Sequence, residues 1–119
     1  MRATRVLLFL IGMAGLGFAE EDGVVDAAGA AGSVGSTVVM VDVVAQVVQK
    51  EGGPVFLNFG GVFPKETVAA VIFSAAVPKF PDVKDLEGQK VRITGLVSDY
   101  QGHPRIILRD PEQLVAEKE

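Results

Sequence analysis

The chain contains no cysteine. That excludes disulfides, thiol catalysis and thiolate metal sites, and it excludes lipid attachment through an N-terminal cysteine. Stability must then come from the core alone, and a body this small is only modestly stable. Histidine occurs once, at His103. A metal site would need that ring plus carboxylates, and Glu51, Asp99 and Asp110 follow no metal-ligand spacing. His103 reads instead as an exposed side chain at a turn tip. Nucleophilic catalysis has no better footing, because Ser74 and Ser98 lack a nucleophile-elbow context. Gly60-Gly61 lies between strands and lacks the lysine ending of a phosphate-binding loop. No catalytic residue, metal or cofactor is expected, and the chain reads as a noncatalytic binding protein.

A basic excess is missing too. The 119 residues hold 11 Lys and Arg against 15 Asp and Glu. Without residues 1–19 the balance is 9 against 15, or −6. Between Ser36 and Asp110 it is 8 against 8. The surplus acid lies in the flanks, at Glu20, Glu21, Asp22, Asp26, Glu112, Glu117 and Glu119. A protein that grips duplex nucleic acid through phosphates needs a basic surplus. Any anion recognition here must rest on a few local cations.

The beginning of the chain has the pattern of an export signal. Arg2 and Arg5 precede a short apolar stretch from Val6 to Phe18, Gly17-Phe18-Ala19 offers small residues for cleavage, and Glu20-Glu21-Asp22 ends the apolar character. A durable membrane span needs about 20 apolar residues, so cleavage after Ala19 and a periplasmic or secreted product are expected, with an uncleaved anchor as the alternative. Residues 20–35 are acidic, then rich in glycine and alanine, and read as a flexible linker. Residues 36–114 form the expected domain and 115–119 a C-terminal tail.

Inside the domain, two segments spell nearly the same hairpin 50 residues apart. Gly52-Gly53-Pro54 leads into Val55-Phe56-Leu57, and Gly102-His103-Pro104 leads into Arg105-Ile106-Ile107-Leu108. Val41, Val43 and Val47 in the first entering strand match Val91, Ile93 and Val97 in the second. The β-branched runs predict strands at Thr37–Gln49, Val55–Phe59, Thr67–Phe73, Lys90–Asp99 and Pro104–Arg109. Asp42 and Gln46 mark an outward phase on the first of these, with Met40 sharing it. A short helix capped by Ser74 falls between the third and fourth strands, and Gly95 suggests a bulge or sharp bend. Three strands, a short helix and two strands predict an all-β, five-stranded OB-fold barrel.

The strings Val55-Phe56-Leu57-Asn58-Phe59-Gly60, Val71-Ile72-Phe73, Leu86-Glu87-Gly88, Val91-Arg92-Ile93-Thr94-Gly95, Tyr100-Gln101-Gly102-His103-Pro104 and Asp110-Pro111-Glu112-Gln113-Leu114 resemble small bacterial OB-fold domains. The resemblance spans about 79 residues, and one departure is Val43, where such domains often have glycine. It implies a nucleic-acid-binding fold related to anticodon-binding and single-strand-binding modules. Single-strand binding uses exposed rings flanked by cations. Phe59, Phe63 and Tyr100 lie at strand ends or turns near Lys50, Lys65 and Arg105, while Phe56, Phe73 and Phe80 read as core. The alternative for Phe59 and Phe63 is that they cover a barrel end. The candidate site is completed by Asn58 and His103, on the outer face of the second and third strands. The expected partner is single-stranded nucleic acid or a nucleotide-like ligand. The alternative is an envelope protein or an oligosaccharide, which OB-folds hold at the same face.

Overall fold

In a computed structural model of the chain, residues 23–117 are described. The expected export signal at 1–19 lies outside them. Seven strands follow in order: β1 (Val24–Val25), β2 (Thr37–Gln49), β3 (Val55–Phe59), β4 (Val68–Ile72), β5 (Lys90–Tyr100), β6 (His103–Ile107) and β7 (Leu114–Ala116). One α-helix, α1 (Ala27–Ala31), precedes β2, and short 3-10 segments span Ser74–Lys79, Val83–Leu86 and Pro111–Gln113.

The five strands anticipated from the β-branched runs are β2 to β6, and they close on themselves. The antiparallel β2–β3 and β3–β4 pairs lead to a parallel β4–β6 pair; β6 pairs antiparallel with β5, and β5 returns to β2. This works because β2 and β5 are long enough to serve two partners each. Residues Thr37 to Val43 of β2 pair with β5, and Val44 to Gln49 pair with β3. The register shifts between Val44 and Gln46, where the strand changes partner. Such an extra residue bends a strand, so the curl that glycine could provide at position 43 comes from this irregularity instead. In β5, Leu96 is the last residue paired to β2 and Val97 the first paired to β6. Gly95 sits at that transition without a register shift, and a Cβ there would lie 2.6 Å from Cγ2 of Ile106. It permits close approach of two strands rather than making a bulge.

Inward residues alternate along the strands, and β4 is covered on its outer face as well, with Ala69 and Val71 buried. Val55, Leu57 and Phe59 of β3, Val68, Ala70 and Ile72 of β4, Val91, Ile93 and Val97 of β5, and Ile106 are fully or almost fully buried. Met40 belongs with them, buried beside Val38 and Val44, so it does not share an outward phase. Asp42 falls on this same alternation, and its Oδ2 accepts the Ala27 amide at 2.9 Å. Phe80 and Val83 come from the 3-10 turns to join the core, whereas Phe73 is exposed. The Ser74–Lys79 turn begins without a side-chain cap, and the Ser74 hydroxyl donates to the Gly52 carbonyl instead.

The stretch expected to be a flexible linker is built into the fold from residue 23 onward. Val24 and Val25 pair in parallel with Val39 and Met40. Asp26 caps α1 through Oδ1, which accepts the Gly29 amide at 2.9 Å. Ala27 and Ala30 are buried in the barrel core. Small side chains are what let this single helical turn lie close against the strands, and they are also why the segment lacks the apolar signature of a core element. The expected tail likewise continues as a strand: β7 pairs with Val91, Arg92 and Ile93. Arg92 Nε donates to Glu117 at 3.0 Å, and that bond holds the Glu117 carboxyl below its ordinary range.

Candidate binding groove

One groove of about 460 Å³ runs over the outside of the barrel. That is a volume typical of a small-ligand site. The outward residues of four strands form its floor: Gln46 and Val48 of β2, Phe56 and Asn58 of β3, Ala69 of β4, and Arg105 of β6. Phe63 and Glu66 enter from the β3–β4 link, Lys50 from the turn after β2, and Tyr100, Gln101 and His103 from the β5–β6 turn.

The polar floor is internally bonded. Gln46 and Asn58 stand opposite one another across β2 and β3. Asn58 is buried, and its Nδ2 donates to Gln46 Oε1 at 2.8 Å. The same oxygen accepts the Phe63 amide at 3.0 Å. This fixes the link backbone at the groove while leaving the Phe63 ring 66% exposed. On the other side, Tyr100 and His103 flank a two-residue turn, with positive φ at Gln101 and Gly102. That is the backbone of a tight hairpin whose twist matches its strands. Two residues past His103, the Arg105 guanidinium carbon lies 4.2 Å from the centre of the Tyr100 ring. A cation at that distance is attracted to the ring face.

Glu66 was not singled out by the sequence. Its side chain is only 5% exposed, and Oε2 accepts from His103 Nδ1 at 3.0 Å. A carboxylate oxygen only accepts, so Nδ1 carries the proton in this bond. Glu66 Oε1 and Arg105 Nε are buried without a hydrogen-bond partner. In the sequence Glu66 looks like one more loop acid between Lys65 and Thr67; only the folding of the link toward β6 brings it under His103.

Of the residues proposed from the sequence, Lys50, Asn58, Phe63, Tyr100, His103 and Arg105 line this groove together. Phe59 does not. It is fully buried in the barrel, because Asn58 takes the outward position on β3 and period-two alternation then turns Phe59 inward. Phe56, assigned to the core from the sequence, takes an outward position and lines the groove. Lys65 is exposed in the link but is not part of the lining. Among the described residues, no group of three or more His, Cys, Asp or Glu side chains is placed to hold a metal ion.

No family model matches the chain, and no curated protein does. Solved structures are similar in fold. One is an OBody bound to hen egg-white lysozyme, at TM-score 0.55 and 16% identity, covering 74% of this chain and 85% of that one. Another is a protein from Leishmania major Friedlin described as an aspartyl-tRNA synthetase, at TM-score 0.56 and 12% identity. It covers 89% of this chain but only 22% of its own length is involved. The barrel is an OB-type fold. At these identities the likeness concerns the fold alone. The groove described above lies on the outer face of β3 and β4, beside the β2–β3 and β5–β6 turns.

Proposed function

We propose that this chain is an exported, noncatalytic OB barrel that binds single-stranded nucleic acid or nucleotide-like material along the groove. The observation that carries the reading is the meeting of exposed rings and cations on one surface. Phe63 and Tyr100 are 66% and 50% exposed, with Arg105 over the Tyr100 ring and Lys50 on the same lining. Large exposed rings are costly to leave in water, and bases are flat partners that cover them. The even balance of 8 basic and 8 acidic residues between Ser36 and Asp110 fits a ligand held by stacking and a few phosphate contacts rather than by a broad positive field. Export rests on the pattern of residues 1–19 and is part of this proposal.

The test is fluorescence anisotropy with a labelled single-stranded oligonucleotide at low and moderate salt. The wild type is expected to bind, and Phe63→Ala or Tyr100→Ala to lose about 1–3 kcal/mol per stacked base. Lys50→Ala and Arg105→Ala are expected to lower the salt slope by about one unit each. Wild-type protein that shows no binding at low salt overturns the reading. The lack of a basic surplus favours a second reading, an envelope module for a protein or oligosaccharide. One of the structures similar in fold is itself bound to a protein, lysozyme. Binding of that kind falls little as salt rises, whereas phosphate-dependent binding falls steeply.

A further inference from the structure

The groove contains a buried acid, which a surface that only tracked phosphates would avoid. Glu66 lines it with a side chain 5% exposed. One carboxylate oxygen is engaged by His103, and the other has no partner. Buried polar atoms in native proteins are almost always hydrogen-bonded, so an orphan acceptor lining a groove is met by water or by a donor that arrives with the ligand. A phosphate brings only oxygens and repels the carboxylate. A base edge can bring an N–H.

We infer that Glu66 reads the base edge in this groove and makes it prefer bases carrying an exocyclic amine, cytosine over thymine in the pyrimidine case. This rests on the single-strand reading above. The chemistry separates the two pyrimidines cleanly. Cytosine presents an amine at the end of its pairing edge, and carboxylates accept from it. Thymine replaces that amine with a carbonyl, and its one ring donor is flanked by oxygens on both sides. Seating thymine against Glu66 sets oxygen against oxygen. Arg105 Nε adds a matching demand, since it is a buried donor without a partner on the same lining. Cytosine offers ring acceptors beside its amine, so one base edge can answer both atoms. Glu66 Oε1 is covered in this structure, so the rim must open for a base to reach it, and Phe63 is the rim ring with the greatest exposure, 66%.

The experiment compares oligo-dC with oligo-dT of equal length, by anisotropy with the full domain. Wild-type protein is expected to bind oligo-dC about tenfold more tightly. Glu66→Gln should bring the ratio close to one mainly by improving oligo-dT, because an amide can turn its NH₂ toward the thymine carbonyl. Circular dichroism checks that the variant is folded. A third arm needs no variant: oligo-dC methylated twice on each N4 loses its donors and keeps its rings, and is expected to bind the wild type no better than oligo-dT. Equal binding of oligo-dC and oligo-dT by the wild type overturns the inference while leaving the single-strand reading in place. So does a dC preference that survives in folded Glu66→Gln, or undiminished binding of the methylated strand. Failure of the wild type to bind any of these strands overturns both readings together.

Discussion

Two glycines show how a single backbone angle constrains this fold. Gly102 has φ of +86° in the two-residue turn between β5 and β6, with open space where a Cβ would stand. The cost of a side chain there is purely conformational. Gly102→Val is expected to lower stability by about 1–3 kcal/mol, measured by urea unfolding. Gly60 has φ of +76° as well, and a Cβ on it would collide with the Thr67 side chain. Gly60→Ala adds that clash to the same strain and should cost more than Gly102→Ala. Equal midpoints for the two alanine variants would mean the link can move aside. Part of the candidate site was readable in the sequence and part was not. Phe63, Tyr100, Lys50 and Arg105 could be found because rings and cations beside turn residues are a local pattern. Phe59 was misplaced although the signal was present: Asn58, the one polar residue in Val55–Phe59, marks the outward phase of the strand. Glu66 had no such local mark, since its partner His103 lies 37 residues away.

Among the elements, β2 to β6 were legible because β-branched residues and paired turns identify strands without knowledge of their neighbours. The segment before β2 was not. Ala27-Ala28-Gly29-Ala30-Ala31 has little apolar bulk and no helical periodicity of large side chains, and a helix this short has no stability of its own. It exists because Asp26 caps it, Asp42 binds its first amide, and the barrel accepts two alanines. That account makes a prediction that a flexible linker would not. Asp26→Ala is expected to destabilise by about 1 kcal/mol through loss of the cap. Ala30→Leu, which forces extra volume into a filled core, is expected to cost about 1–3 kcal/mol. Thermal unfolding followed by circular dichroism would show these as falls of several degrees. Unchanged melting for both variants would return residues 23–35 to the status of a linker.

The whole molecule is a barrel closed by two shared strands, with short strands at either flank. Closure was legible from strand order, yet the flanking strands were not, because two or three residues of sequence carry too little pattern to announce pairing. Their placement has a consequence for self-association. A strand with an unpaired edge is a template for another copy of itself. Val39 and Met40 have β5 on one side and β1 on the other; Val91, Arg92 and Ile93 have β2 on one side and β7 on the other. A chain ending at Gln113 keeps α1 and each pairing that closes the barrel but bares the ladder along Val91, Arg92 and Ile93. Light scattering is expected to show concentration-dependent self-association of the trimmed chain, and a trimmed chain that stays monomeric would contradict this. The short flanking strands thus cover ladders that would otherwise be open to another copy, while their Val25 and Leu114 also pack against the core.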